Sequence, residues 1–196
     1  SKMSENKVVF SGGLIRDLVT ITPRFPKPGE TLVGSKYFTG FGGKTTNQAV
    51  MCRKLGGSVE MVGKVGGDDN GKAYIDELIR LGVTIDHLGI AEDSSTGIAS
   101  IFVESGSGEN EIIIVPGAND TVTEAFIARA ENAFRSAKIV VCALEMNEAA
   151  VIASLRMGKK HGAKTILNAA PGKRNLNRTL LEFTDLLCVN ETEAEL

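Results

Sequence analysis

Short apolar runs set between helix-length amphipathic stretches constrain this chain most. A strand buried on both faces reads as unbroken hydrophobicity and needs helices to cover it. KVVFSG at 7–12 is the first such run, and KIVVCAL at 138–144, KTILN at 164–168 and DLLCV at 185–189 have the same form. Between them the spacing predicts helices. One covers Asp69 to Leu81, with Tyr74, Ile75, Leu78 and Ile79 on one face and Gly82 as its stop. Another opens at Thr121, whose spacing to Glu124 is that of a capping box, and runs through Phe134. A third follows Asn147 and ends near His161-Gly162. The β-α-β order predicts an α/β fold: a doubly wound, mostly parallel sheet with helices on both faces. TLVGSKYFTGF at 31–41, TGIASIFVES at 96–105 and NEIIIV at 110–115 also read as strands, the last two joined by a hairpin-like loop. These three need not belong to the main sheet.

GFGGKTTNQAV at 40–50 is the stretch richest in chemistry. Its glycines permit close backbone approach, so exposed N–H groups can meet hydroxyl or phosphate oxygens at a helix start. Lys44 adds a cation and Asn47 a group that both donates and accepts. Two nucleotide motifs fail here. A phosphate-binding loop ending in Gly43-Lys44-Thr45 requires glycine at 38, which is Phe38, and a dinucleotide fingerprint from Gly40 requires glycine at 45, which is Thr45.

Asp17 follows the first strand and Glu145 follows KIVVCAL, both expected at the carboxyl ends of parallel strands, where open α/β sheets collect ligands. Two carboxylates and a lysine at one mouth suit polyol recognition, since carboxylates accept from hydroxyls and the ammonium donates to them. Each also has a plain alternative, a turn cap for Asp17 and a surface ion pair for Glu145. Asn190 and Glu193 have capping-box spacing, which needs no ligand to explain it.

Composition excludes several classes. A net charge of −2 and a pI near 5.8 show no basic excess and disfavour nucleic acid and anionic membranes as partners. Cys52, Cys142 and Cys188 lack CxxC spacing and suit buried small hydrophobes in a reducing compartment, while His87 and His161 have no Cys or His at metal-ligand spacing. No apolar run reaches the length of a membrane span, and the polar start SKMSENK lacks a signal-peptide core, so a cytoplasmic and possibly also nuclear location is expected.

The glycine stretch resembles the first signature of the PfkB family of ribokinase-like sugar kinases. VVFSGGLIRDLV at 8–19, FPKPGETL at 25–32, STGIASIFV at 95–103, VPGAND at 115–120 and VNETEAE at 189–195 extend the match along the chain. Order and spacing are closer to the ribose-specific branch than to fructokinases or adenosine kinases. The resemblance implies a single ribokinase-like domain over 1–196, with a small β-sheet lid inserted at about 18–41 and 96–115. It further implies transfer of phosphate from ATP to the 5-hydroxyl of ribose, Mg2+ accompanying ATP, and a monovalent cation, K+. Carried over, Ile15, Arg16, Asp17, Gly43, Lys44, Thr45, Thr46, Asn47 and Glu145 stand at the sugar, and Asn190 and Glu193 near the nucleotide phosphates. The lid strands carry enough apolar surface to predict a homodimer through them.

The departures from the family pattern are specific. Ile15 stands where many relatives have asparagine, Thr45-Thr46 replaces Gly-Ala, and Asn168 to Pro171 reads Asn-Ala-Ala-Pro rather than Asn-Pro-Ala-Pro. The family's second signature, an anion hole ending in the aspartate that takes the hydroxyl proton, has no match here; the resemblance places it and the K+ site beyond Leu196. The alternatives are another sugar or nucleoside kinase of the family, or a non-catalytic sugar-binding or dimerising module. A dinucleotide-binding protein is disfavoured because no GxGxxG follows the first strand.

Overall fold

In a computed structural model of the protein, residues 6–196 are described, and the first five residues of the polar start lie outside them. The main sheet contains β1 (Lys7–Ser11), β4 (Ser58–Gly66), β5 (Thr84–Ala91), β8 (Ala137–Ala143), β9 (Lys164–Asn168) and β10 (Leu186–Cys188). Their order is β10-β9-β8-β1-β4-β5, and every neighbouring pair is parallel. The helices are α1 (Lys44–Lys54), α2 (Asp69–Arg80), α3 (Glu124–Arg129), α4 (Glu131–Arg135), α5 (Glu148–Lys160), α6 (Arg178–Glu182) and α7 (Glu191–Ala194).

Strand alternation sends neighbouring residues to opposite faces and so builds two cores. Val9, Val140, Cys142 and Leu167 pack with Phe134, Val151 and Leu155 on one side. Phe10, Met61, Val65 and Val141 pack with Ala49, Tyr74 and Leu78 on the other. This is the doubly wound arrangement that the alternating runs predict.

The second sheet is the lid: β3 (Lys36–Gly42), β2 (Ile15–Thr22), β6 (Gly97–Glu104) and β7 (Asn110–Val115), in that order. β2 and β6 pair in parallel, and the outer pairs are antiparallel. Two polar clamps fix its roots to the main body. Asn119, fully buried in a 3-10 turn over Gly117–Thr121, accepts from Leu14 N at 2.9 Å and donates to Leu14 O at 2.9 Å and Pro116 O at 2.9 Å. Asp68 caps α2 by accepting from Gly71 N at 2.8 Å, and it also accepts from Thr96 N at 2.9 Å, just before β6.

Several details differ from the sequence expectation. Asp17 lies inside lid strand β2, not in a loop after β1. Residues 31–34 are outside any strand, and β3 begins at Lys36. The capping residue before α3 is Thr123, which accepts from Phe126 N, and Ala130 separates α3 from α4. Ile79 on α2 is exposed, whereas Tyr74 and Leu78 are buried. Of the cysteines, Cys142 is buried and Cys188 is exposed. His87 pairs with Glu60, and His161 Nε2 donates to Glu131 Oε1 at 2.9 Å, so both histidines have structural partners.

Candidate functional site

The carboxyl ends of β1 and β8 face the underside of the lid, and a cleft of about 480 Å³ opens between them. Ile15, Asp17, Gly43, Lys44, Asn47 and Glu145 all line it. The sequence-predicted residues therefore come from three places: lid strand β2, the start of α1, and the turn after β8.

The glycine turn places the backbone for this meeting. Gly43 has φ of 95°, and a Cβ there would lie 2.5 Å from Gly13 O, so only glycine lets the two turns touch. A Cβ on Gly42 would lie 2.3 Å from Asp17 Oδ1, which shows that the carboxylate rests directly on that residue. The buried Tyr74 hydroxyl donates to Gly42 O from below.

Gly43 is the N-cap of α1 and has no side chain to cap it. Glu145 supplies the acceptor instead, taking a hydrogen bond from Thr45 N at 3.3 Å across the cleft floor. A carboxylate at a helix N-terminus is favoured by the unsatisfied N–H groups there. Burial nevertheless dominates and raises the Glu145 pKa above the ordinary carboxylate value, with the Lys44 and Thr45 amides and the Lys44 charge opposing the shift. Burial likewise raises Asp17, against the pull of the neighbouring Arg16 charge.

Arg16, Thr45 and Thr46 do not line this cleft. Arg16 follows strand alternation to the opposite face, where its guanidinium lies 4.0 Å from the Phe41 ring centroid and donates to Gly40 O at 3.2 Å and Thr39 Oγ1 at 2.6 Å. Thr45 is buried, its side chain filling the space a Cβ on Gly12 would need. The Thr46 hydroxyl donates to Gly13 O at 2.9 Å. The Thr46 hydroxyl thus ties α1 to the Gly13 turn, while Thr45 holds the Gly12 turn by packing alone, its buried hydroxyl having no hydrogen-bond partner among the described residues. Asn190 and Glu193 lie outside the cleft and form a complete capping box on α7, with Glu193 N donating to Asn190 Oδ1 at 2.7 Å and Asn190 N to Glu193 Oε2 at 3.0 Å.

The structure also adds residues. Ala99, Ile101, Ile112 and Ile114 supply an apolar roof from β6 and β7, and Asp120 and Lys173 stand at the cleft as charged groups. The roof residues were readable as strand residues, but their place over the cleft depends on the register of the β6–β7 hairpin and on the pairing of β6 with the sequence-distant β2. Lys173 carries no local signal, since it follows an irregular loop.

A doubly wound sheet whose strand ends meet carboxylates and a lysine under a strand lid is a site built to bind a polar ligand such as a polyol. The profile of the pfkB family carbohydrate kinases matches residues 5–196. The ribokinase of Mus musculus is 38% identical over 189 residues, covering 96% of this chain and 58% of that protein. The deoxyribokinase of Salmonella typhi is 36% identical over 189 residues, covering 96% of this chain and 61% of its own length. The solved structure of Arabidopsis thaliana ribokinase complexed with ribose and ATP superposes with a TM-score of 0.88 at 32% identity, over 97% of this chain and 62% of that one. The chain belongs to the pfkB family of carbohydrate kinases. It spans about three-fifths of the length of these relatives.

Proposed function

We propose that these residues form the sugar-binding half of an ATP-dependent kinase that phosphorylates D-ribose at its 5-hydroxyl. The observation that carries this reading is the convergence of Asp17, Glu145, Lys44 and Asn47 on one cleft. Ionised Asp17 accepts from sugar hydroxyls, Lys44 and Asn47 donate to the sugar oxygens, and the Gly42-Gly43 turn lets the ring approach the backbone. Glu145 combines a hydroxyl contact with its hold on α1. Relatives named ribokinase, and one solved with ribose and ATP, support the same substrate class.

Ile15 favours a second reading within that class. It is an apolar wall where a hydrogen-bonding asparagine stands in many relatives, and a pentose lacking one hydroxyl loses nothing against it. The 36% identity to a deoxyribokinase supports 2-deoxyribose as a further substrate.

Among the described residues, no group of three or more His, Cys, Asp or Glu is placed to hold a metal ion. Mg2+ bound with ATP has phosphate oxygens and water as its main ligands, and it neutralises charge on the phosphates being separated. Asn190 and the remaining oxygen of Glu193 fit an outer contact to such a complex. The proton acceptor is proposed to lie outside these residues, because none of them matches the family's second signature.

Calorimetric titration with ribose, 2-deoxyribose and fructose tests the reading. Saturable binding of the two pentoses, with fructose weaker, is expected. A coupled ADP-release assay on these 196 residues should show no turnover. Failure of both pentoses to bind would overturn the sugar assignment, and turnover would place the proton acceptor within this chain.

A further inference from the structure

The loop after β9 joins two cavities. Lys173 lines the sugar cleft and also a neighbouring cavity of about 320 Å³ whose walls include Arg174, Leu187 and Glu193. The loop is pressed against α7: a Cβ on Gly172 would lie 3.1 Å from Glu193 Cγ and 2.7 Å from Leu196 Cδ1. The side chain after Gly172 therefore stands between the cleft that holds Asp17 and the helix that carries Asn190 and Glu193.

Its ammonium is only loosely engaged. The acidic neighbour of Lys173 is Glu148, whose Oε2 is 3.6 Å away, beyond the range of a charge-assisted hydrogen bond, and the lysine side chain is 41% exposed. Glu148 meanwhile accepts from Asn177 Nδ2 at 3.0 Å through its other oxygen. Donors on Lys173 thus remain available where the two cavities meet. Lys44 is the other cation lining the cleft, and it belongs to the turn around the sugar.

Resting on the sugar-kinase reading above, we propose that Lys173 anchors the phosphate end of the phosphorylated sugar at the junction of the two cavities. An ammonium on a flexible stem suits this task, since it can follow phosphate oxygens as a point charge without a fixed fork geometry. Glu148 holds the stem near the junction and competes weakly for the charge.

The test compares ribose with ribose 5-phosphate by calorimetric titration of the protein at low salt. Replacing Lys173 by Met should weaken ribose 5-phosphate binding by about tenfold while leaving ribose binding within about twofold, as expected for loss of one charge-assisted contact. Lys173→Arg should restore most of the loss, and Glu148→Gln should tighten ribose 5-phosphate without affecting ribose. Lys173 is at the surface, so thermal melts of its variants should match the parent. Unchanged ribose 5-phosphate affinity in Lys173→Met, or an equal loss for both ligands, would overturn the assignment. Binding of neither ligand by the parent protein would overturn the sugar reading itself, and the role of Lys173 with it.

Discussion

Asp17 and Glu145 are carboxylates whose partial burial works against their charge. Both have pKa values raised above their ordinary range, chiefly by desolvation. A raised pKa in the fold contributes stability that is fully present below the unfolded pKa and is lost as pH rises through the folded value. At neutral pH, ionised Asp17 therefore costs the empty protein stability, and sugar hydroxyls offset that cost on binding. Asp17→Asn should melt higher than the parent at neutral pH without ligand, with the difference shrinking toward acid pH. Ribose affinity of the parent should fall as pH drops through the raised pKa of Asp17, an acid limb that begins above the ordinary carboxylate range. Asp17→Ala should weaken ribose binding by about tenfold to a hundredfold, because hydrogen bonds to a charged group contribute roughly 1.5 to 3 kcal/mol each. The control is Asp68→Ala, which loses the bonds to Gly71 and Thr96 and should lower the melting temperature while sparing affinity. Equal affinity in Asp17→Ala and parent would place the sugar elsewhere. Lys44, Asn47 and Glu145 were legible from their positions after glycines or a strand, whereas Asp17 reaches the cleft from inside β2 and not from a loop after β1. Arg16 departs from the expected site because residues 15–22 form a strand, and alternation sends its side chain to the face opposite Asp17.

At the level of elements, the strongest joints are polar side chains that bind backbone. Asn119 uses its amide oxygen and nitrogen on both sides of Leu14, at the entry to β2. An aspartate of the same shape could still accept from Leu14 N, but it would face Leu14 O and Pro116 O without a proton. Asn119→Asp should therefore destabilise by about 1 to 3 kcal/mol, the cost of buried groups left unpaired, measurable by chemical denaturation. A variant as stable as the parent would show that the clamp contributes nothing. Element existence was largely readable, while ends and joints were less so. Thr121 and Thr123 both precede the Glu124 helix, and spacing could not tell that Thr121 donates to Ala118 O to close the 3-10 turn while Thr123 caps. SVEMVGKVG forms β4, yet Glu60 and Lys64 break its apolar pattern. Glu60 is buried there because Lys7 and His87 both engage it, a pairing made across strands and invisible in one.

At the scale of the whole molecule, the lid presents apolar side chains beyond the cleft. Phe38 is 45% exposed on β3 and Ile113 is 65% exposed on β7, the two outer strands, whose free edges can pair with another chain. The proposed homodimer through these strands predicts association that depends on concentration, and Phe38→Glu should weaken it in sedimentation experiments. Ile101, which also belongs to the lid, is a poorer probe because it lines the sugar cleft. A strict monomer at high concentration would remove the proposal.

The clamps at Asn119 and Asp68 also give the lid the mechanics of a cantilever. Both anchors lie at one end, at Leu14 and Thr96, so bending amplitude grows along β2 and β6 toward Thr22 and Glu104. Amide hydrogen exchange should therefore be slowest near Ile15 and quicken toward Ile21, a gradient along one strand rather than a uniform loosening. A ligand at the root would meet a stiff gauge of its width, and one reaching toward the tip would meet a spring.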